Sequence, residues 1–144
     1  MNIPESTVAP ALISAYRATQ YCITSVDDPF VLHIDEPSAD LARCHDDHGV
    51  RTSAILTAYN PHSQPTPEAA NEAAQLRLTA HLQARQWLFL EGLGVDPTGD
   101  WPAEPSLLVL GLTLTEARAI GDHFAQNALV WAAEDSTPRL VLLR

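Results

Sequence analysis

Residues 56–71 read LTAYNPHSQPTPEAAN, and three changes of pattern fall within them. The run TSAILTAY, 52–59, is almost continuously apolar and predicts a central strand. Asn60-Pro61 ends it, because proline cannot donate to a ladder. HSQPTP is a loop. Thr66-Pro67 then supplies an N-cap and an N1 proline for the longest helix, expected from Pro67 to Gln86. The composition of that helix, EAANEAAQLRLTAHLQAR, strongly favours it. Leu78 and Leu82 share one stripe, and Asn71 lies about 20° from each at 100° per residue. An amide therefore points inward from the first turn, and a buried amide needs partners. Tyr59, Asn60 and Asn71 are expected close together where strand meets helix.

The rest of the chain is read outward from there. Residues 1–8 look like a loose end. Pro10 opens a helix that continues through Ala18. QYCIT, from Gln20, alternates like a strand, Asp27-Asp28-Pro29 signals a turn, and FVLHI, 30–34, completes a hairpin. Ser38 caps a helix that runs to His48, with Gly49 past its end. After the long helix, WLFLEG, 87–92, is a strand. GVDPTGDWPAEP, 94–105, is a loop long enough to be functional. SLLVLGL, 106–112, is another buried strand. Thr113-x-x-Glu116 is a capping box, and its helix ends near Gln126-Asn127. ALVWAA, 128–133, and RLVLL, 139–143, form a second hairpin. The order α-β-β-α-β-α-β-β-α-β-β lacks regular βαβ alternation. It predicts one α+β domain over 1–144, a mostly antiparallel or mixed sheet covered by helices.

Composition narrows the function classes. With 46% hydrophobic and 18% charged residues the chain is globular in composition. Its net charge is −10 and all eight basic residues are arginine. A nucleic-acid partner needs a basic patch, and an anionic membrane surface needs the same, so neither is expected. No apolar run reaches bilayer length. The N-terminal stretch has no basic n-region, and two cysteines make no disulfide scaffold, so a cytoplasmic protein with free thiols is expected. The partners left open are a small polar ligand and a protein, a second copy of this chain included.

Four segments carry a resemblance: AYRAT at 15–19, TAYNP at 57–61 with Asn71 after it, WPAEPSLLVLGL at 101–112, and FAQNALVW at 124–131. Together they resemble DUF3293, a bacterial family of unknown function, along nearly the full length. The family pattern falls on Tyr16, Tyr59, Asn60, Pro61, Asn71, Trp101, Glu104, Gln126 and Asn127. The resemblance implies a fold grouping and a set of signature positions, and no reaction. His62 and the Pro-rich extension after TAYNP depart from that pattern.

Asn60, Asn71, Glu104, Gln126 and Asn127 each fall at a junction of strand with loop or helix, where ligands bind in mixed folds. Amides and a carboxylate recognise a small polar molecule by hydrogen bonds, with Trp101 and Tyr59 as flat walls. The same residues serve equally as a buried network that only fixes the fold. Glu104, beside Trp101 and two prolines, is the candidate general acid or base, because desolvation raises a carboxyl pKa toward a useful range. Cys44 and His48 stand i, i+4 on a helix, yet a structural zinc site wants four ligands. A solvated helix end is the simpler reading, and no metal is expected. No G-x-S-x-G elbow appears, and Gly92-Leu-Gly94 opens no helix, so no cofactor is expected. The leading expectation is a binding or regulatory module with a polar pocket. The alternatives are a hydrolase or transferase using Glu104, and a protein–protein module pairing through an edge strand such as 139–143.

Overall fold

Four consecutive buried residues, Ser53–Leu56, form β3, and burial on both faces places that strand inside the sheet. A computed structural model describes residues 6–144. In it β3 is flanked by β5 (Glu104–Leu110) and β6 (Ala128–Ala132). Outward from β5 lie β4 (Phe89–Val95), β1 (Gln20–Ile23) and β2 (Phe30–Leu32). Outward from β6 lies β7 (Pro138–Leu142). The seven strands run in the order β2-β1-β4-β5-β3-β6-β7, and every neighbouring pair is antiparallel. The helices are α1 (Pro10–Ala18), α2 (Ala39–His48), α3 (Glu68–Ala84) and α4 (Leu114–His123). Class and element order are those expected from the sequence, with one added 3-10 turn at Pro61–Ser63.

Alternation along the strands divides the core in two. Ala54, Leu56, Leu107, Val109 and Leu129 face α3, through Ala74, Leu78 and Leu82, and α4, through Ala117 and Ile120. On the other face one cluster draws a side chain from every strand: Ile23, Leu32, Ile55, Leu90, Leu108, Val130 and Leu140. Seven flat strands would span about 29 Å at roughly 4.8 Å per gap. Sharing one cluster therefore requires the sheet to curl around that face into a half-barrel. The segment after β2 ties the two edges together, since Asp35 N donates to the Pro138 carbonyl at 2.7 Å and Ser38 N to the Ser136 carbonyl at 3.0 Å.

Helix α2 closes one end of the half-barrel. Leu41 and Cys44 enter the inner cluster, and His45 shares a 2.8 Å hydrogen bond with the Ser53 hydroxyl. That corrects the solvated reading of this helix end in part: Cys44 and His45 are buried, while Asp46, Asp47 and His48 face out. Burial pushes the Cys44 thiol up and the His45 imidazole down from their ordinary values. Ser38 does cap the helix, accepting from Leu41 N at 3.0 Å, and Gly49 closes it at φ 65°. The other end of the half-barrel is overlain by α1, which buries no residue of its own fully.

Several element boundaries differ from those expected, through contacts made elsewhere in the fold. The strand expected over 52–59 stops at Leu56 because the Gln75 side chain of α3 accepts from Ala58 N at 2.9 Å. Thr57 Oγ1 meanwhile donates to the Pro105 carbonyl at 2.8 Å. Thr66 does not cap α3. Pro67 holds the cap position, and the Thr66 hydroxyl donates to the Gln64 carbonyl at 2.9 Å. Strand β4 runs on to Val95 through both glycines. A Cβ on Gly92 would stand 2.5 Å from the Cys22 carbonyl oxygen, so glycine there permits the close approach of β1. Glu104 correspondingly begins β5, leaving a loop of 96–103 instead of 94–105. Helix α4 ends at His123, so Gln126 and Asn127 lie in the link to β6. Of the expected loose end 1–8, residues 1–5 lie outside the described residues. Ser6 is tied to the Arg144 carbonyl through its hydroxyl, and Val8 is buried.

Candidate functional site

The open end of the half-barrel holds a cavity of about 370 Å³, within the range of small-molecule sites. Its floor is the inner face of the sheet, its outer wall is α1, and its rim is the turn after β3. Asn60 organises that rim. Its backbone sits in the left-handed region at φ 46° and ψ 66°, which asparagine tolerates better than most residues. Asn60 N donates to Asn71 Oδ1 at 2.8 Å, and Asn71 Nδ2 returns a bond to Asn60 Oδ1 at 2.9 Å. The same Oδ1 accepts from Thr66 N at 3.1 Å, and Asn71 Nδ2 also donates to the Thr66 carbonyl at 3.2 Å. The buried amide thus holds the turn to the start of α3. Asn71 does not touch Glu104. Asn60 joins them, its Nδ2 donating to Glu104 Oε2 at a long 3.4 Å.

Tyr59 and the Gln126-Asn127 pair lock the neighbouring backbone. Gln126 Nε2 donates to the Tyr59 carbonyl at 3.2 Å and to the Phe124 carbonyl at 3.3 Å. Asn127 Nδ2 donates to the Tyr16 hydroxyl at 3.3 Å and to Ser63 Oγ at 3.2 Å, and those two hydroxyls meet each other. Tyr59 Oη donates to Glu68 Oε1 at 2.9 Å. Burial, then Glu68, push that phenol up to about 12. Tyr21 reaches the Tyr16 carbonyl at 3.2 Å, and burial pushes its phenol above the usual range. Trp101 lines the cavity but is 53% exposed, so it forms a lip and not a closed wall. Its backbone N–H and that of Asp100 each donate to Asp96 Oδ2 at 3.1 Å, and the Thr98 hydroxyl and N–H donate to Asp96 Oδ1 at 2.8 and 2.9 Å. The Thr98 hydroxyl first, and then these backbone groups, hold the Asp96 carboxyl below the usual carboxylate range.

Glu104 is the chemically distinctive member. Burial pushes its carboxyl up to about 7, and the Asn60 amide offsets only part of that. Two positions along the same face of β5, Ser106 lines the same cavity. Its shielded hydroxyl has no hydrogen-bond partner among the described residues. Across the ladder, Glu104 pairs with Gly94 and Ser106 with Gly92. The glycines that punctuate the sequence are therefore the cross-strand neighbours of the two polar floor residues; Gly94 lines the cavity, while the space at Gly92 is taken by the Cys22 carbonyl and the Ile23 side chain. Three acidic residues, Glu68, Asp96 and Glu104, line the cavity, and no arginine or histidine does among the described residues.

Residue reading missed Ser106, Tyr21, Gly94 and Glu68. Ser106 had a signal: it is the one polar residue in SLLVLGL, at the i+2 spacing that puts it on the face of Glu104 once the strand begins two residues earlier. Tyr21, from β1, had none, because only the curl brings β1 to this end. The Cys44–His48 pair lies at the far end of the half-barrel. His48 Nδ1 bonds the Cys44 carbonyl at 2.8 Å and stands 3.8 Å from its sulfur. No group of three metal-ligating side chains occurs among the described residues, and no helix among them is long and apolar enough to cross a membrane.

Residues 56–129 match the sequence profile of a family described as a protein of unknown function, DUF3293. No curated protein matches the chain, and no solved structure does. The matched span opens at the end of β3 and closes in β6, so it contains the rim, α3, both floor residues and the Gln126-Asn127 pair.

Proposed function

This chain belongs to the DUF3293 family of proteins of unknown function, and within that family we propose that it is a small-molecule-binding or regulatory module whose ligand sits over Glu104. The observation that supports this most is the state of that carboxyl. Taking a carboxylate out of water costs free energy unless hydrogen bonds or a counter-charge replace the lost hydration. Among the described residues Glu104 has one long contact, from Asn60, and no ion pair. It faces a cavity of ligand size. A group kept at a stability cost, on a rigid strand and beneath an open cavity, is the pattern of a functional position. Asn60, Asn71, Gln126 and Asn127 act one layer out in this reading. Their amides are consumed in fixing the rim, so they shape the pocket, while Glu104, Ser106, Tyr16 and Tyr21 offer the ligand contacts. Trp101 closes over it from the lip.

The test is a fragment screen read by amide shifts in ¹H–¹⁵N spectra. Binding fragments are expected to move the amides of Gly94, Glu104, Ser106 and Ala128. A bulky side chain at the cavity wall, Ala128→Phe, is expected to abolish those shifts while the spectrum stays dispersed. Fragments that bind only elsewhere, or equally well to the filled variant, refute the reading.

A second reading is supported by one observation. A carboxyl with a pKa of about 7 is suited to proton transfer near neutrality, and Glu104 would then be the general acid or base of a small hydrolase or transferase. Turnover lost in Glu104→Gln with ligand affinity unchanged would establish it; affinity lost in step with turnover would not.

A further inference from the structure

The ligand's chemical class follows from what the cavity contains and what it lacks. Every titratable side chain on its lining other than the tyrosines is acidic. Two of those carboxylates are already engaged: Glu68 accepts from Tyr59, and Asp96 from the backbone of its own loop. Glu104 is left as the acceptor with capacity to spare. Ser106, only 6% exposed, adds a hydroxyl with no partner among the described residues on the same strand face, its Cα about 7 Å from that of Glu104. An anionic ligand would meet three carboxylates and no cation. Above pH 7, where Glu104 is ionised, a neutral polar ligand would leave its charge uncompensated once water was displaced. A cation with several N–H donors satisfies both floor groups together. The remaining lining is apolar or aromatic, including Tyr21, Ile55, Val130 and Leu140, and rings also attract cations.

We propose that the cavity takes a primary organic ammonium ion with an apolar body, its nitrogen held between the Glu104 carboxylate and the Ser106 hydroxyl and its body against Tyr21, Ile55 and Val130. This rests on the reading that the cavity binds a small molecule, and it adds the charge and shape of that molecule. The ammonium supplies one N–H to the carboxylate and one to Ser106 Oγ, and no bond is made or broken.

The experiment uses three probes of one shape and different charge: benzylamine, benzyl alcohol and benzoate. Each is titrated into the full chain at pH 8 while the amides of Gly94, Ser106 and Ala128 are followed. Benzylamine is expected to bind at least about tenfold more tightly than benzyl alcohol, as a charge-assisted bond outweighs a neutral one, and benzoate not at all. In Glu104→Gln the preference for the amine over the alcohol is expected to vanish. Lowering the pH from 8 to 6 protonates Glu104 while benzylamine keeps its charge, so wild-type affinity is expected to fall about tenfold and that of the variant to stay level. Benzyl alcohol or benzoate binding in the cavity as tightly as the amine overturns the ammonium assignment and leaves the cavity reading standing. No cavity shift with any of the three overturns both. The three-probe comparison is made on the wild type, so it decides the matter even where a variant fails to fold.

Discussion

Replacing Glu104 by glutamine is expected to stabilise the protein at pH 8. The folded protein holds the Glu104 proton more tightly than an unfolded chain does, with a pKa of about 7 against an ordinary 4.5. Between those two values the folded state binds more protons, so stability falls as pH rises through the window and levels off above about 7. At about 1.4 kcal/mol per pH unit the full loss is about 3 kcal/mol. Glutamine keeps the shape and removes the desolvated charge. The charged Asn60 contact that it gives up is already contained in that difference, because the Asn60 amide lowers the folded-state value. The net gain at pH 8 is then about 3 kcal/mol, a rise in Tm of roughly 6–12 °C for a chain of this size. At pH 4, where the wild-type carboxyl is protonated, the two proteins are expected to agree within about 1 kcal/mol. Urea unfolding of both, in steps from pH 4 to pH 8, measures the difference directly. Asp96 and Asp135, whose carboxyls are held below their ordinary values, lose their contribution only at more acidic pH and cancel in the comparison. A variant less stable than the wild type at pH 8 refutes the argument, because the charge would then be holding the fold together. A difference that does not change with pH refutes it equally.

Asn71→Ala is expected to cost about 2–3 kcal/mol, since it strands Asn60 N in a half-buried turn and removes two further bonds; a loss below about 0.5 kcal/mol in urea unfolding would show that the rim does not depend on this amide. The two glycines of β4 are expected to separate cleanly in thermal unfolding. Gly92→Ala drives a methyl to 2.5 Å from the Cys22 carbonyl oxygen and should cost more than about 3 kcal/mol, whereas Gly94→Ala meets its first neighbour, Thr19 Cγ2, at 3.5 Å and should stay within about 1 kcal/mol. Equal effects at the two positions would mean that β1 does not lie against β4 in this register.

Much of this architecture was legible in the chain. The apolar run at 53–56 belongs to an interior strand because both of its faces are covered, and alternation elsewhere marks strands with one exposed face. Ser38, Gly49 and the Thr113/Glu116 box act within a few residues of themselves, so local chemistry alone located three helix ends. Asn71 was legible as a buried amide for the same reason: helical periodicity fixes the direction of a side chain whatever the helix packs on. That Asn60 stands close to it was legible too; the reciprocal pairing of the two amides was not, because Asn60 takes a left-handed conformation set by the surrounding turn.

The sequence by itself determined the class, the order of elements, and which polar residues gather near the end of β3 and the start of α3. These follow from propensity, period and capping, all of short range along the chain. The tertiary structure alone decided that the sheet curls, that β1 and β7 therefore share one cavity with β5, and that Glu104 pairs across the ladder with a glycine at its floor. Such facts depend on contacts between residues far apart in the chain, such as Asp35 with Pro138 and Gly92 with Cys22. No periodicity within a segment encodes them. The raised proton affinity of Glu104 belongs to the same class, because burial in the folded protein takes the carboxyl out of water.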